Sequence, residues 1–311
     1  MNETGSAKST ATFACIGSLL CASVGPVFIK YLTGYLDLWT QNLLRYTAAC
    51  LFWMPFLLWS IHSGRLDKRV WKRALLPAGT NIFLQTFWAG AFYYIDAAFM
   101  NLIVKSSIIW IAAFSLIFFA DERGLIRSRR FWSGMLLSVV GVVGVLVARE
   151  DFGSKRTLTG ILITLVAALL WGLYTVTARI AFRHIDSRIG FGAISIYTVA
   201  GLAILVLLFG HPAESLAMPP WPWASVVISG IFSIALSHVL YYAAMRRIGV
   251  TIPSLVLLST PFAVLAISHA VFGESLHGLQ WFFGMILMAG GGLAIWSQEH
   301  LKHVPPREND A

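Results

Sequence analysis

The chain alternates between long uncharged apolar runs and short polar or basic stretches. Ten runs stand out, at about Ala11–Ile29, Thr40–Trp59, Leu75–Tyr94, Ala98–Ala120, Phe131–Ala148, Leu158–Ala181, Ile189–Phe209, Trp223–Met245, Thr251–Phe272 and Leu279–Trp296. A helix needs about 20 residues to cross a hydrocarbon layer about 30 Å thick, so each run predicts a membrane-crossing helix. The pattern also repeats. Tyr93-Tyr94, an apolar run, Asp121-Glu122 and Gly134-Met135-Leu136-Leu137 return as Tyr241-Tyr242, an apolar run, Gly273-Glu274 and Gly284-Met285-Ile286-Leu287. The chain therefore divides into two homologous halves, residues 1–151 and 152–311, each with five predicted helices; the second ends in a polar tail from Gln298. Five is odd, so the second half enters the membrane upside down. Many secondary transporters use such inverted repeats to build two gates around one midplane site.

Composition agrees with this all-α, integral-membrane fold class. Hydrophobic residues are 58% and charged residues 12% of 311, with mean hydropathy +0.74, whereas a soluble domain is about a quarter charged. The net charge of +9 would fit nucleic acid if it were patched together. Instead the basic residues sit in short connections, where they set orientation. With the amino terminus inside, the inner connections hold Lys8, Arg65, Lys68, Arg69, Lys72, Arg73, Arg123, Arg127, Arg129, Arg130, Arg179, Arg183, Arg188, Arg246, Arg247, Lys302 and Arg307. The outer ones hold only Lys30, Arg149, Lys155 and Arg156. Both termini are thus expected in the cytoplasm of a cell whose inner membrane the chain spans several times. The run after Lys8 is longer than a signal-peptide core and reads as a retained first helix. Cys15, Cys21 and Cys50 fall in apolar runs without metal spacing and read as small buried hydrophobes. No metal, cofactor or nucleic acid is expected.

Polar groups inside the runs are the candidates for function, because they are costly there. Asn81, Gln85 and Trp88 share one face of the third helix, and His238, Tyr241, Tyr242 and Met245 one face of the eighth. The fourth offers Asn101 and Lys105, the sixth Trp171, Tyr174 and Thr175, and the ninth Ser254, Ser259 and Thr260 beside Pro253 and Pro261. Together they would form a pocket with aromatic walls and scattered amides and hydroxyls. Each has a plainer reading. Asn, Ser and Thr bond to neighbouring helices, paired tyrosines at helix ends form an interfacial belt, and a lone histidine packs. Lys105 lies about seven residues into its helix and either faces a cavity or snorkels outward. None of the acids falls in the middle of a run. A buried ammonium there needs carbonyls, water or an anionic ligand, and a cavity without carboxylates is poorly built to concentrate organic cations.

The pattern resembles the drug/metabolite transporter superfamily in its ten-helix, EamA-like two-repeat form. The matching features are Leu170-Trp171-Gly172, Arg45, Tyr94 and Tyr242, Pro261, Glu122 and Glu274, and the glycine-rich fifth and tenth helices. Within it the chain looks closest to bacterial aromatic amino-acid exporters. The resemblance implies a basket in which helices one, three, four, six, eight and nine line a cavity, braced by five and ten. Two departures stand out. Cys21-Ala22 occupies the place of Trp171-Gly172, and Ile109 stands where the second copy has Pro261, so the fourth helix is expected to bend less than the ninth.

The function expected is export of amphipathic small metabolites, aromatic or other apolar amino acids above all, by alternating access. Substrate-binding positions are Asn81, Gln85, Trp88, Asn101, Lys105, Trp171, Tyr174, His238, Tyr241 and Ser259, with Pro253 and Pro261 at the gates. Proton coupling would fall to His238 or Lys105, and a facilitative carrier is equally compatible. The alternative is a multidrug, organic-anion or nucleotide-sugar-like carrier. An intramembrane enzyme is disfavoured, since no Ser-His, paired-Asp or HExxH arrangement is present. The expected partners are the small-molecule substrate and the bilayer. Oligomeric state is left open, a monomer being compatible.

Overall fold

Each apolar run is helical, and several helix boundaries have a local cause. The computed structural model describes residues 3–182, 185–248 and 251–302, with side chains outside 3–11, 121–122, 245–248, 251–252, 254–255 and 298–302. The first half contains α1 (Glu3–Leu32), α2 (Leu38–His62), α3 (Arg69–Ala91), α4 (Ala97–Ile103), α5 (Ser107–Phe118) and α6 (Arg129–Val147). The second contains α7 (Lys155–Phe182), α8 (Ser187–Phe209), α9 (Pro220–Ser229), α10 (Ser237–Ile248), α11 (Thr251–Leu258), α12 (Thr260–Phe272) and α13 (Gly278–Lys302). Asp37, Ser128 and Asp186 cap the starts of α2, α6 and α8 with side-chain oxygens, satisfying amides that have no partner within the helix. Gly273 ends α12 at φ 70°, where a side chain would be strained.

Among the described residues the secondary structure is entirely helical. Eight stretches are long and apolar enough to cross a membrane, with a shorter apolar helix at Val256–Phe272. The third predicted segment is helical too, but Arg69, Lys72 and Arg73 in its first turns and its amides leave it more polar than the others.

Three of the predicted helices are not continuous. A 3₁₀ turn at Val104–Ser106 separates α4 from α5, and Ser259 separates α11 from α12. A π-helical stretch at Gly230–Leu236 joins α9 to α10. The fourth helix is thus interrupted although it lacks the proline of the ninth.

The two halves interlock, and many of their contacts have a counterpart when the halves are exchanged. The α1 helix packs on α10, α11 and α12, as its counterpart α7 packs on α3, α4 and α5. The α2 contacts with α9 and the π stretch mirror the α8 contact with α3. In α2–α8 and α6–α13 an element meets its own counterpart, whereas the α4–α12 contact has no comparable mirror between α5 and α11. The α6–α13 contact is the most extensive among the described residues, and glycine is the reason. A Cβ on Gly134 would stand 2.8 Å from Gly290 O, and one on Gly290 would stand 2.5 Å from Ser138 N. Small residues let helix backbones approach where lipid gives no hydrophobic drive to associate.

The two ends of the bundle differ in chemistry. One gathers acids: Asp37 receives His211 N, Asp96 and Asp151 pair with Arg149, and His277 lies 3.6 Å from Glu150. The other gathers arginines over aromatic rings: Arg65 over Trp59 at 4.4 Å, Arg179 over Phe119 at 4.1 Å and Arg188 over Phe56 at 4.1 Å.

Candidate functional site

The polar face of α3 closes a hydrogen-bond network. Asn81 Nδ2 donates to Tyr46 Oη at 3.1 Å and to Thr198 Oγ1 at 3.1 Å, while Gln85 Nε2 donates to Asn81 Oδ1 at 3.2 Å. Asn42 Nδ2 reaches Gln85 O at 2.9 Å. Asn81 and Gln85 thus tie α3 to α2 and α8. In the other half Ser229 and Ser233 occupy the corresponding places, at the interval that separates the two tyrosine pairs. They hold Arg45, whose Nε and Nη2 donate to their hydroxyls at 2.9 and 3.2 Å. Arg45 is 2% exposed, and its Nη1 has no partner in the structure. Gly230 permits this approach, since a Cβ there would lie 2.9 Å from Ala48 Cβ. Replacing Asn81 by Leu strands Gln85 and Tyr46, at a cost of about 2 kcal/mol. The unfolding midpoint of the purified protein should fall accordingly, and an unchanged midpoint would deny the network any weight.

The predicted aromatic residues do meet. The ring of Trp88 lies 5.4 Å from that of Trp171, which lies 6.4 Å from His238, and His238 lies 5.6 Å from Phe191. This chain of rings joins α3, α7, α10 and α8. Gly172 sets the depth of the crossing beneath it: a Cβ there would fall 2.7 Å from Trp110 Cβ on α5. Tyr174 is 3% exposed and stands within electrostatic range of Tyr46 and Tyr242. Tyr241 lies against Tyr242 with ring centres 5.8 Å apart. His238 Nδ1 faces Ile234 O at 2.8 Å, a carbonyl within the π stretch. The side chains of Glu122, Met245 and Ser254 lie outside the described residues.

Lys105 sits on the break between α4 and α5, and its Nζ donates to Leu257 O at 3.0 Å. It therefore reaches across to the second half instead of snorkelling toward the membrane surface. From Ala97 to Ser107 every residue is buried except Lys105. Asn101 Oδ1 and Ser106 Oγ, near it on the same segment, are buried without partners. Ser259 Oγ bonds Val256 O at 2.5 Å, and Thr260 Oγ1 bonds Leu257 O at 2.5 Å. Pro253 is the third residue of α11 and Pro261 the second of α12, positions where a helix has no use for the missing N–H. Reading the sequence residue by residue missed the Leu257 carbonyl and Ser106. The available signal was Pro261 itself, four residues after Leu257, since a proline leaves the carbonyl at i−4 without its donor.

At the acidic end the two halves share a helix cap. Glu274 Oε1 and Oε2 accept the N–H groups of Ala97 and Ala98 at 3.0 and 2.9 Å. Asp96, the residue in the cap position of α4, makes no cap bond and pairs instead with Arg149 at 2.8 Å. Nearby, Lys30 Nζ donates to Phe92 O and Ile95 O at 2.9 and 3.0 Å. Burial raises Asp37, but bonds from Thr40, His211 and Trp39 outweigh it and hold its carboxyl below the usual range. Asp151 is held low by Arg149 first and Thr157 next. Among the described residues no three His, Cys, Asp or Glu side chains gather as a metal site would require.

Comparisons with known proteins match this architecture. A solved crystal structure superposes with TM-score 0.64 at 18% identity, covering 94% of this chain and 99% of the other, a likeness of fold. An uncharacterized transporter of Clostridium kluyveri is 29% identical over 147 residues, 46% of this chain and 47% of the relative. Another, from Methanothermobacter thermautotrophicus, is 26% identical over 201 residues, 63% of this chain and 56% of the relative. A third, from Haemophilus influenzae, is 22% identical over 213 residues, 66% of this chain and 69% of the relative. The chain thus spans about half the length of the first two relatives. The model of the EamA-like transporter family matches twice, at residues 9–147 and 158–296, once for each half. This two-repeat, multi-pass membrane protein belongs to the EamA-like transporter family.

Proposed function

We propose that the protein is a secondary transporter of ten membrane-crossing helices in two inverted repeats, exporting aromatic or other apolar amino acids by alternating access. The ring chain from Trp88 through Trp171 and His238 to Phe191 carries the reading. It joins α3 to α7, α8 and α10, and it matches the flat apolar side chain of such a substrate. Tyr174, Tyr241, Asn101, Lys105 and Ser259 supply polar contacts around it, while Asn81 and Gln85 hold the α3 wall in place. Pro253 and Pro261 mark the ninth helix as the moving part of a gate. Contacts that survive exchange of the halves support two gates related by symmetry. The concentration of arginines at one end supports a cell-membrane orientation with both termini in the cytoplasm.

The absence of any acid within the spans separates this reading from cationic drug efflux. Organic anions remain the alternative class, on the strength of Lys105. Counterflow of labelled phenylalanine, tyrosine and tryptophan in proteoliposomes tests the proposal. Saturable exchange is expected with each, and a lack of flux for all three would sink the amino-acid assignment. Repeating the assay with an imposed pH gradient separates proton coupling through His238 or Lys105 from facilitated exchange.

A further inference from the structure

An α-helix bonds each N–H to the carbonyl four residues earlier. In the ninth predicted helix the partner of Leu257 O would be the N–H of residue 261, which is proline. The carbonyl is orphaned inside the membrane, where an unsatisfied backbone group is costly. Thr260 Oγ1 supplies one donor to it from its own helix. Lys105 Nζ supplies the other from the opposite half at 3.0 Å. Lys105 and Leu257 are 152 residues apart, the same interval that separates Ile109 from Pro261 and Glu122 from Glu274. The bond therefore joins equivalent positions of the two repeats, where the α4–α5 break faces the α11–α12 break.

The ammonium is engaged by one neutral carbonyl and by no carboxylate, since the acids all lie outside the spans. It is also the one incompletely buried residue between Ala97 and Ser107. Asn101 Oδ1, on the preceding turn, is a buried acceptor without a donor. The chemistry of this spot, an ammonium beside a buried amide acceptor, suits a ligand that carries both an anion and a donor. We infer that Lys105 is the anchor for a substrate carboxylate, which takes the ammonium from Leu257 O. The carbonyl thereby released frees the ninth helix from the fourth. Binding and gate movement are coupled through this exchange of one acceptor for another, and Pro261 creates the acceptor that is given up. A neutral acceptor yields to an anionic one because opposite full charges add a coulombic attraction that a carbonyl dipole does not supply, and it is strong where water is scarce.

This inference rests on the transport reading and narrows its substrates to carboxylates. The test measures binding of L-phenylalanine, 3-phenylpropionate and phenethylamine to the full chain in nanodiscs, for wild type, Lys105→Met, Lys105→Arg and Pro261→Ala. Lys105→Met should weaken both carboxylates by about tenfold or more and leave any phenethylamine binding unchanged. Lys105→Arg should recover part of the affinity. Pro261→Ala restores the N–H that satisfies Leu257 within its helix, so Lys105 is released and the carboxylates bind several-fold tighter. Carboxylate binding unchanged in Lys105→Met, or Pro261→Ala without effect in a folded protein, would overturn the inference and leave aromatic amino-acid transport standing. If wild type binds neither aromatic carboxylate, the aromatic reading fails, and the same proteins are titrated with straight-chain monocarboxylates. Lys105-dependent binding there upholds the anchor, and no binding, or binding independent of Lys105, removes it.

Discussion

Gly141→Leu is expected to leave little folded protein. The α6 and α13 backbones meet at this point: a Cβ on Gly141 would lie 2.6 Å from both the Cα and the Cβ of Leu287. The obstacle is backbone, which cannot rotate away as a side-chain tip can. The helices would have to separate along an interface where Gly134, Ser138 and Gly290 are also in close approach, so the loss extends beyond one residue. Overpacking a well-filled interior costs about 1–3 kcal/mol, and a rigid backbone obstacle puts this case at the upper end or beyond. The unfolding midpoint and the monodisperse yield of purified protein would both report it. Gly79→Ala is the control, because nothing lies within 4 Å of its added Cβ, and alanine favours a helix over glycine by up to about 1 kcal/mol. If Gly141→Leu unfolds at the wild-type midpoint, glycine-mediated contact is not what holds these helices together.

The second large effect is expected at Glu274. Its carboxylate caps α4 from the other half through two N–H bonds and lies at the positive end of that helix. Glu274→Ala removes both bonds, and Asp96 is already engaged by Arg149, so the helix start is left without a side-chain acceptor. Two charge-assisted bonds contribute about 2–4 kcal/mol to joining the two halves at this end. Opening at the acidic end should become correspondingly more populated, up to about a hundredfold or more for 3 kcal/mol. Labelling of a single cysteine at position 97 by a membrane-impermeant maleimide measures this, in a background without Cys15, Cys21 and Cys50. Glu274→Gln keeps one acceptor oxygen and should fall between the two. Equal labelling rates in all three would mean that the cap steadies α4 without latching the halves.

These effects differ in how visible they are before folding. Apolar runs of membrane-crossing length, the repeat of tyrosine, glutamate and glycine motifs, and arginines concentrated in alternate connections all follow from local chemistry. Hydrocarbon admits a backbone only when its own groups are satisfied, so a run of apolar residues has helix as its main solution. The meeting of Trp88, Trp171 and His238 was legible as well, because helical spacing puts aromatic groups on facing sides. The role of Asn81 was not. An amide on a helix face serves a ligand or a neighbouring helix equally well. Only the position of Tyr46 and Thr198, distant in the chain, shows that its bonds are taken.

By itself, then, the sequence determined a membrane-embedded helical protein of two related halves, with Lys105 in one copy and Pro261 in the other as their sharpest difference. Tertiary structure alone decided that these two features belong together. The proline opens a carbonyl at Leu257, and the lysine of the other half fills it. The tertiary structure also shows the fourth helix interrupted without a proline, and the cap of α4 handed to Glu274. The physical reason is common to all three. A helix declares its own hydrogen bonds through local spacing, but the groups it leaves unsatisfied are answered by whatever the other half brings within reach, and that depends on how the halves interlock.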